Sequence, residues 1–99
     1  MSDSAFKALA DPTRREILRL LGHGEMTAGE VVERFPISQP AISRHLGVLR
    51  QAGLVTATRD GQNVRYALDS TVVQDVVRAL LDLGSVARPR RARPTGKTR

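Results

Sequence analysis

The chain has 99 residues and no cysteine, and its sixteen Lys and Arg against ten Asp and Glu give a formal charge of +6 at pH 7. That length fits one small domain, and the missing thiols exclude disulfides, thiolate metal sites, iron–sulfur clusters and a cysteine nucleophile. A basic balance favours an acidic partner, most simply nucleic acid, while the longest run without a charged residue, Phe35 to Ser43, is nine residues, far below the roughly 18–20 that a membrane span needs. Met1 to Ser4 has neither the basic nor the apolar region of a secretory leader, so the expectation is a cytoplasmic protein with no membrane insertion. Phe6, Phe35 and Tyr66 are the only aromatics. A core so poor in rings, in so short a domain, is marginal alone, and oligomerisation is the usual remedy.

The elements follow in order. Residues 3–10 predict a short helix with Phe6, Leu9 and Ala10 on one side. Asp11-Pro12 reads as an N-cap followed by proline at the first helical position, opening a helix that carries Ile17, Leu18, Leu20 and Leu21 and stops at Gly22. Thr27-x-x-Glu30 matches a capping box and starts a third helix through Arg34, ended by Phe35-Pro36. Ser38 caps a fourth helix, Gln39 to Ala52, with Gly53 just past its end. Leu54 to Arg59 and Val64 to Leu68 predict two strands around Asp60-Gly61. A two-residue or a four-residue loop would equally keep Val55, Ala57, Val64, Tyr66 and Leu68 on one face. From Ser70 a last helix runs to about Gly84, with Val72, Val73, Val76, Val77, Leu80, Leu81 and Leu83 spread over so wide an arc that it should pack on two sides. The fold class expected is mainly α with a β-hairpin wing, a winged helix-turn-helix in the order α-α-α-α-β-β-α.

The charge is unevenly placed. Residues 85–99 hold Arg88, Arg90, Arg91, Arg93, Lys97 and Arg99 and no acid, whereas residues 1–84 hold ten bases and ten acids. The expected organisation is a folded DNA-binding and dimerisation domain over residues 1–84 and a disordered basic tail over residues 85–99. Within the domain, residues 38–68 carry Arg44, Arg50, Arg59 and Arg65 against Asp60 alone. An anion-binding face, if the domain has one, lies there.

At about 100° per residue, Ile42, Leu46 and Leu49 form the inner face of the fourth helix, with His45 on its flank. Pro40, Ser43, Arg44, Gly47 and Gln51 face the other way, with Gln39 and Arg50 at the edge. That face offers donors and a cation but no acid, and no Asp or Glu occurs from Phe35 to Arg59. Arg can fork onto guanine, Gln onto adenine, and Ser can meet base or phosphate, so the face suits the major groove as well as plain solvation. Arg59 and Arg65 flank the hairpin tip, placed either for phosphates or for protecting a strand edge by charge. Gly47 costs around 1 kcal/mol relative to Ala in a helix interior and marks a close approach, with packing the first explanation and DNA backbone the second. The histidines do not suggest an enzyme. His23 sits between glycines in a turn, His45 suits a hydrogen-bonded structural role, and no nucleophile has a base and orienting group at recognisable spacing. No catalytic residue, metal ligand or cofactor is expected.

The segments FKALADPTRREILRLL (6–21), MTAGEVVERF (26–35), ISQPAISRHLGVLRQAGLV (37–55) and RDGQNVRYALD (59–69) resemble the ArsR family of bacterial winged-helix repressors, closest to its SdpR-like autorepressor branch. The resemblance covers residues 5–83 in the family's order. It implies a homodimer through the first and last helices, which puts Phe6, Leu9, Val73, Val76, Val77 and Leu80 at the interface. It also implies that residues 38–45 enter the major groove, so that Ser38, Gln39, Ser43, Arg44 and His45 contact DNA, with Pro40 beside them and Arg59 and Arg65 on the wing. Metal-sensing members carry a cysteine motif on the third helix or Asp and His ligands on the last. Here the third helix is TAGEVVERF and no histidine follows His45, so metal response is not expected. The family often has Lys where this chain has Gly47, which removes one candidate phosphate contact.

The function expected is a sequence-specific transcriptional repressor that binds double-stranded operator DNA as a homodimer on an inverted repeat. Its effector is left open among a protein partner, a small molecule and none. A non-specific, tail-driven DNA binder and a protein-interaction module on the same fold are the alternatives; excess random DNA separates the first of these from a repressor.

Overall fold

The computed structural model describes residues 3–87; the basic run from Arg88 to Arg99, and with it most of the expected tail, lies outside the described residues. Five helices and three short strands follow one another: α1 (Asp3–Leu9), α2 (Pro12–Leu21), β1 (Met26–Thr27), α3 (Ala28–Val32), α4 (Gln39–Gln51), β2 (Val55–Asp60), β3 (Asn63–Leu68) and α5 (Ser70–Ala87). The architecture is the expected winged helix-turn-helix, with one addition. β1 pairs with β3, Met26 opposite Tyr66 and Thr27 opposite Arg65, so the sheet has three strands in the order β1-β3-β2.

Local chemistry sets most boundaries. The Asp11 carboxylate accepts the Arg14 backbone N–H at 3.0 Å and Pro12 follows, which starts α2. The capping box forms in full: Thr27 Oγ1 accepts from the Glu30 N–H, and Glu30 Oε1 accepts from the Thr27 N–H. α3 ends sooner than Arg34. There the chain tightens, with the Arg34 and Phe35 N–H groups bonding three residues back, to Val31 and Val32. This is the usual unwinding ahead of a proline such as Pro36.

Ser38 Oγ accepts the Ala41 N–H at 3.3 Å and caps α4. At the other end Gly53 has φ 81. Its N–H bonds to Arg50 O and the Leu54 N–H to Leu49 O, the pattern of a Schellman cap. Leu54 is therefore part of the helix stop and buried in the core rather than the first strand residue, and β2 begins at Val55. Asp60 pairs with Asn63, which settles the hairpin on the two-residue loop Gly61-Gln62, with Gly61 at φ 64. Asp69 caps α5 through the Val72 N–H.

The core gathers Ala5 and Ala8 of α1, Ile17 and Leu21 of α2, Val31 of α3, Ile42, Leu46 and Leu49 of α4, Leu54 and Val55, and Val76 of α5. No polar or charged side chain is buried among the described residues. α4 packs against α1, α2 and α3. Its inner face is thus fully used, and the opposite face is held outward on a rigid base.

Candidate nucleic-acid interface

Ser38, Gln39, Pro40, Ser43, Arg44 and Gly47 are all exposed, on the side of α4 opposite the buried Ile42, Leu46 and Leu49. Ser38 uses its hydroxyl as the N-cap. The side chains of Gln39, Ser43 and Arg44 have no hydrogen-bond or ion-pair partner among the described residues. The face therefore offers an amide, a hydroxyl and a guanidinium, and no carboxylate stands among them. The α4 N-terminus adds outward backbone N–H groups at the same end.

His45 sits apart from that set. Its ring is 20% exposed, with Nδ1 3.4 Å from Arg14 Nη1 and 3.9 Å from Asp11 Oδ2. The hydrogen-bonded role expected for it is present, and its partner lies on α2, where spacing along the chain could not reveal it. Asp11 titrates below the usual carboxylate range. The Arg14 backbone N–H bonded to it is the largest cause, with smaller help from His45 and the Arg14 charge.

The packing explanation of Gly47 does not hold among the described residues. A methyl group there would have no heavy atom within 4 Å, so the position is open space on the outer face.

On the wing the two arginines differ. Arg59 is exposed and has no side-chain partner among the described residues. Arg65 donates Nε to Asp60 Oδ2 at 3.2 Å, with Glu25 Oε1 at 3.9 Å. A cleft of about 400 Å³ lies between the start of α3, the start of α4 and the wing, lined by Thr27, Gly29, Gln39, Gln62, Asn63 and Tyr66 among others, with no charged residue in its lining. Sequence reasoning passed over Gln62 and Asn63, because neutral amides in a turn look like turn chemistry until the fold brings them opposite Gln39.

The expected interface residues also separate. Phe6, Leu9 and Val73 are half-buried against the protomer's own core, and Val76 is 3% exposed, so Val76 serves that core and has almost no surface to give a partner. Val77 and Leu80 are exposed, as are Leu81 and Leu83, which the expected set lacked. Among the described residues no three His, Cys, Asp or Glu side chains group as a metal site, and no helix is long and apolar enough to cross a membrane.

Known proteins with these features place the chain. A family model described as a helix-turn-helix domain matches residues 9–57. The transcriptional repressor SdpR of Bacillus subtilis (strain 168) is 49% identical over 80 residues, 81% of this chain and 89% of that protein. A probable mercury resistance operon repressor of Streptomyces lividans is 47% identical over 72 residues, 73% of this chain, which spans only 58% of that longer relative. The solved structure of an ArsR-like transcriptional regulator from Rhodococcus sp. RHA1 superposes with a TM-score of 0.75 at 36% identity, covering 84% of this chain and 78% of that one. The order of elements, the capped α4 and the sequence likeness agree, and the chain belongs to the ArsR family of winged helix-turn-helix transcriptional repressors.

Proposed function

We propose that two copies of this chain bind an inverted-repeat operator in the cytoplasm and block transcription, each inserting the outer face of α4 into the major groove. The observation that carries this reading is the exposed, acid-free set of Gln39, Ser43 and Arg44 on a helix whose other face is locked in the core. Ser38, Pro40 and the backbone at the start of α4 approach the phosphates, His45 lies at the edge of the reading face, and Arg59 and Arg65 belong to the wing that follows the neighbouring groove. The α5 stripe of Val77, Leu80, Leu81 and Leu83, with Phe6, Leu9 and Val73 beside it, supports pairing of two copies. Two reading helices then sit about 34 Å apart, one turn of DNA. The protein acts without metal or cofactor and catalyses nothing. The absence of cysteine and of any histidine after His45 supports that part.

Footprinting on the DNA upstream of the protein's own coding region tests the reading. A protected site with dyad symmetry that survives excess random duplex is expected. Protection that random DNA removes completely would favour the tail-driven, non-specific alternative. Zinc, cadmium and arsenite should leave the footprint in place, and stoichiometric release by any of them would overturn the metal-independent part.

A further inference from the structure

Neither the reading face nor the apolar stripe explains the contact between Arg14 and His45. Arg14 stands in the first turn of α2, where its backbone N–H donates to Asp11 at 3.0 Å. Its side chain reaches two further helices. Nε donates to Ala8 O at 2.7 Å and Nη2 to Lys7 O at 3.2 Å, in the last turn of α1. Nη1 meets His45 Nδ1 on α4 at 3.4 Å. One guanidinium therefore joins α1, α2 and α4.

Its chemistry dictates the state of the histidine. A guanidinium has donors only, so a hydrogen bond at Nδ1 takes that nitrogen's lone pair and leaves the ring proton on Nε2. The opposite arrangement would place a proton on Nδ1 and aim it at Asp11 Oδ2, but that oxygen is 3.9 Å away, beyond hydrogen-bond reach. Nε2 has no partner among the described residues, and the ring keeps 20% of its surface exposed.

We propose that Arg14 is a positioning residue for DNA binding, tying the end of α1 to the reading helix and holding His45 as its Nε2–H tautomer. This rests on the reading of α4 given above. The consequence is a choice of base chemistry. A ring held this way presents a donor, which suits phosphate oxygen, guanine O6 and N7 or thymine O4, and it cannot accept from the amino groups of adenine or cytosine. Leu9, in the same short stretch as the two carbonyls Arg14 holds, lines the apolar groove beside Val77 and Leu80.

The test begins without DNA. In ¹⁵N-labelled full-length protein at pH 8, a long-range ¹H–¹⁵N correlation separates the two tautomers, with His45 assigned by its loss in His45→Gln. The Nε2–H pattern is expected for wild type and a mixed pattern for Arg14→Gln. If Arg14→Gln does not fold, Arg14→Lys replaces it, and the wild-type spectrum decides in either case. An Nδ1–H pattern in wild type overturns the proposal and leaves the DNA reading untouched.

Binding is then titrated on a duplex selected from a random pool by the wild-type protein. His45→Gln places an amide N–H near the position of Nε2, whereas His45→Asn, one methylene shorter, ends near the position of Nδ1 and leaves no donor at Nε2. The Asn variant is expected to lose roughly tenfold or more and the Gln variant clearly less. Equal losses or the reverse order overturn the proposal. Arg44→Ala in the same titration reports separately whether α4 reads DNA.

Discussion

Arg65 Nε donates to Asp60 Oδ2 at 3.2 Å across the wing, and Glu25 Oε1 lies 3.9 Å from the same nitrogen. Arg59, one residue before Asp60, has no side-chain partner among the described residues. Two arginines that look equivalent in the sequence are therefore unequal. Two carboxylates hold one of them, while the other stands free to meet a phosphate.

Replacing Asp60 by Asn should release Arg65 and remove one repelling charge near DNA. Exposed pairs of this kind contribute only about 0–1 kcal/mol to folding, so stability should change little. Affinity for any duplex should rise, and the log–log salt slope should steepen by about 0.9 for each phosphate contact added, one per chain of the bound pair. Arg59→Ala should weaken binding more than Arg65→Ala. Anisotropy titrations at several salt concentrations check both. Equal losses for the two arginines would mean that Arg65 leaves its carboxylates when DNA binds.

Arg44 is the side chain most exposed to a test of the reading face. Its side chain has no hydrogen-bond or ion-pair partner among the described residues, and Ala is the better helix former, so Arg44→Ala should melt at or slightly above the wild-type temperature. It should lose about 1–3 kcal/mol of operator binding if it forks onto a base, with relaxed preference at one position per half-site. A phosphate contact would weaken all duplexes alike. Arg78, paired with Asp75 on α5, is the control, and Arg78→Ala should leave the affinity unchanged.

Much of this was legible in the sequence, and the misses share a cause. Caps, breakers and helical periodicity are local, and they marked α2, α4, the hairpin and α5 closely. Leu54 read as a strand residue because it is apolar and follows Gly53, yet its N–H closes back on Leu49. β1 has two residues, too few for any alternation, and exists only because β3 lies beside it. The partner of His45 is 31 residues away along the chain. Spacing on a helix shows which flank a residue occupies and is silent on what the fold brings against that flank.

Gly47 separates helix propensity from DNA contact. With no atom within 4 Å of a methyl group at this position, Gly47→Ala should stabilise the protein by about 1 kcal/mol, read as a higher melting temperature. Gly47→Lys places a cation one turn from Arg44 on the same face, and should tighten binding to all duplexes and steepen the salt slope by about 0.9 per chain of the bound pair. A destabilised Gly47→Ala would show that another chain packs there.

Acid should weaken the fold by a defined route. Asp11, Glu16 and Glu30 all titrate below their ordinary range: Asp11 through the Arg14 backbone N–H, Glu16 through the Arg19 side chain, and Glu30 through the Thr27 backbone N–H. Because the unfolded chain takes up these protons at higher pH than the folded one, their contribution is full above the ordinary carboxylate values. It is lost as pH falls through the lowered ones. Melting temperature should therefore drop between about pH 5 and pH 3. Asp11→Asn retains a good cap at neutral pH, so combined with Glu30→Gln it should flatten that drop. An unchanged profile would remove these two carboxylates from the explanation.

The α5 stripe makes the strongest demand on the assembly. Val77 and Leu80 are 49% and 47% exposed, and Leu81 and Leu83 are 68% and 61%. Residues 77, 80 and 81 follow one another at helical spacing, so they form a surface rather than scattered points. It continues into a groove of about 330 Å³ lined by Leu9, Leu18, Leu68 and Val73. Water against so much apolar surface is costly, and a second copy with the same stripe can cover it about a two-fold axis. Light scattering at micromolar concentration should give about twice the chain mass of 10.8 kDa. Leu80→Asp should shift the mass toward the monomer, and operator affinity should fall because two half-sites no longer act together. Val76→Asp should instead unfold the protomer, since that side chain is 3% exposed within its own core. If Leu80→Asp remains a dimer with full operator affinity, the two copies meet elsewhere and the stripe has another occupant.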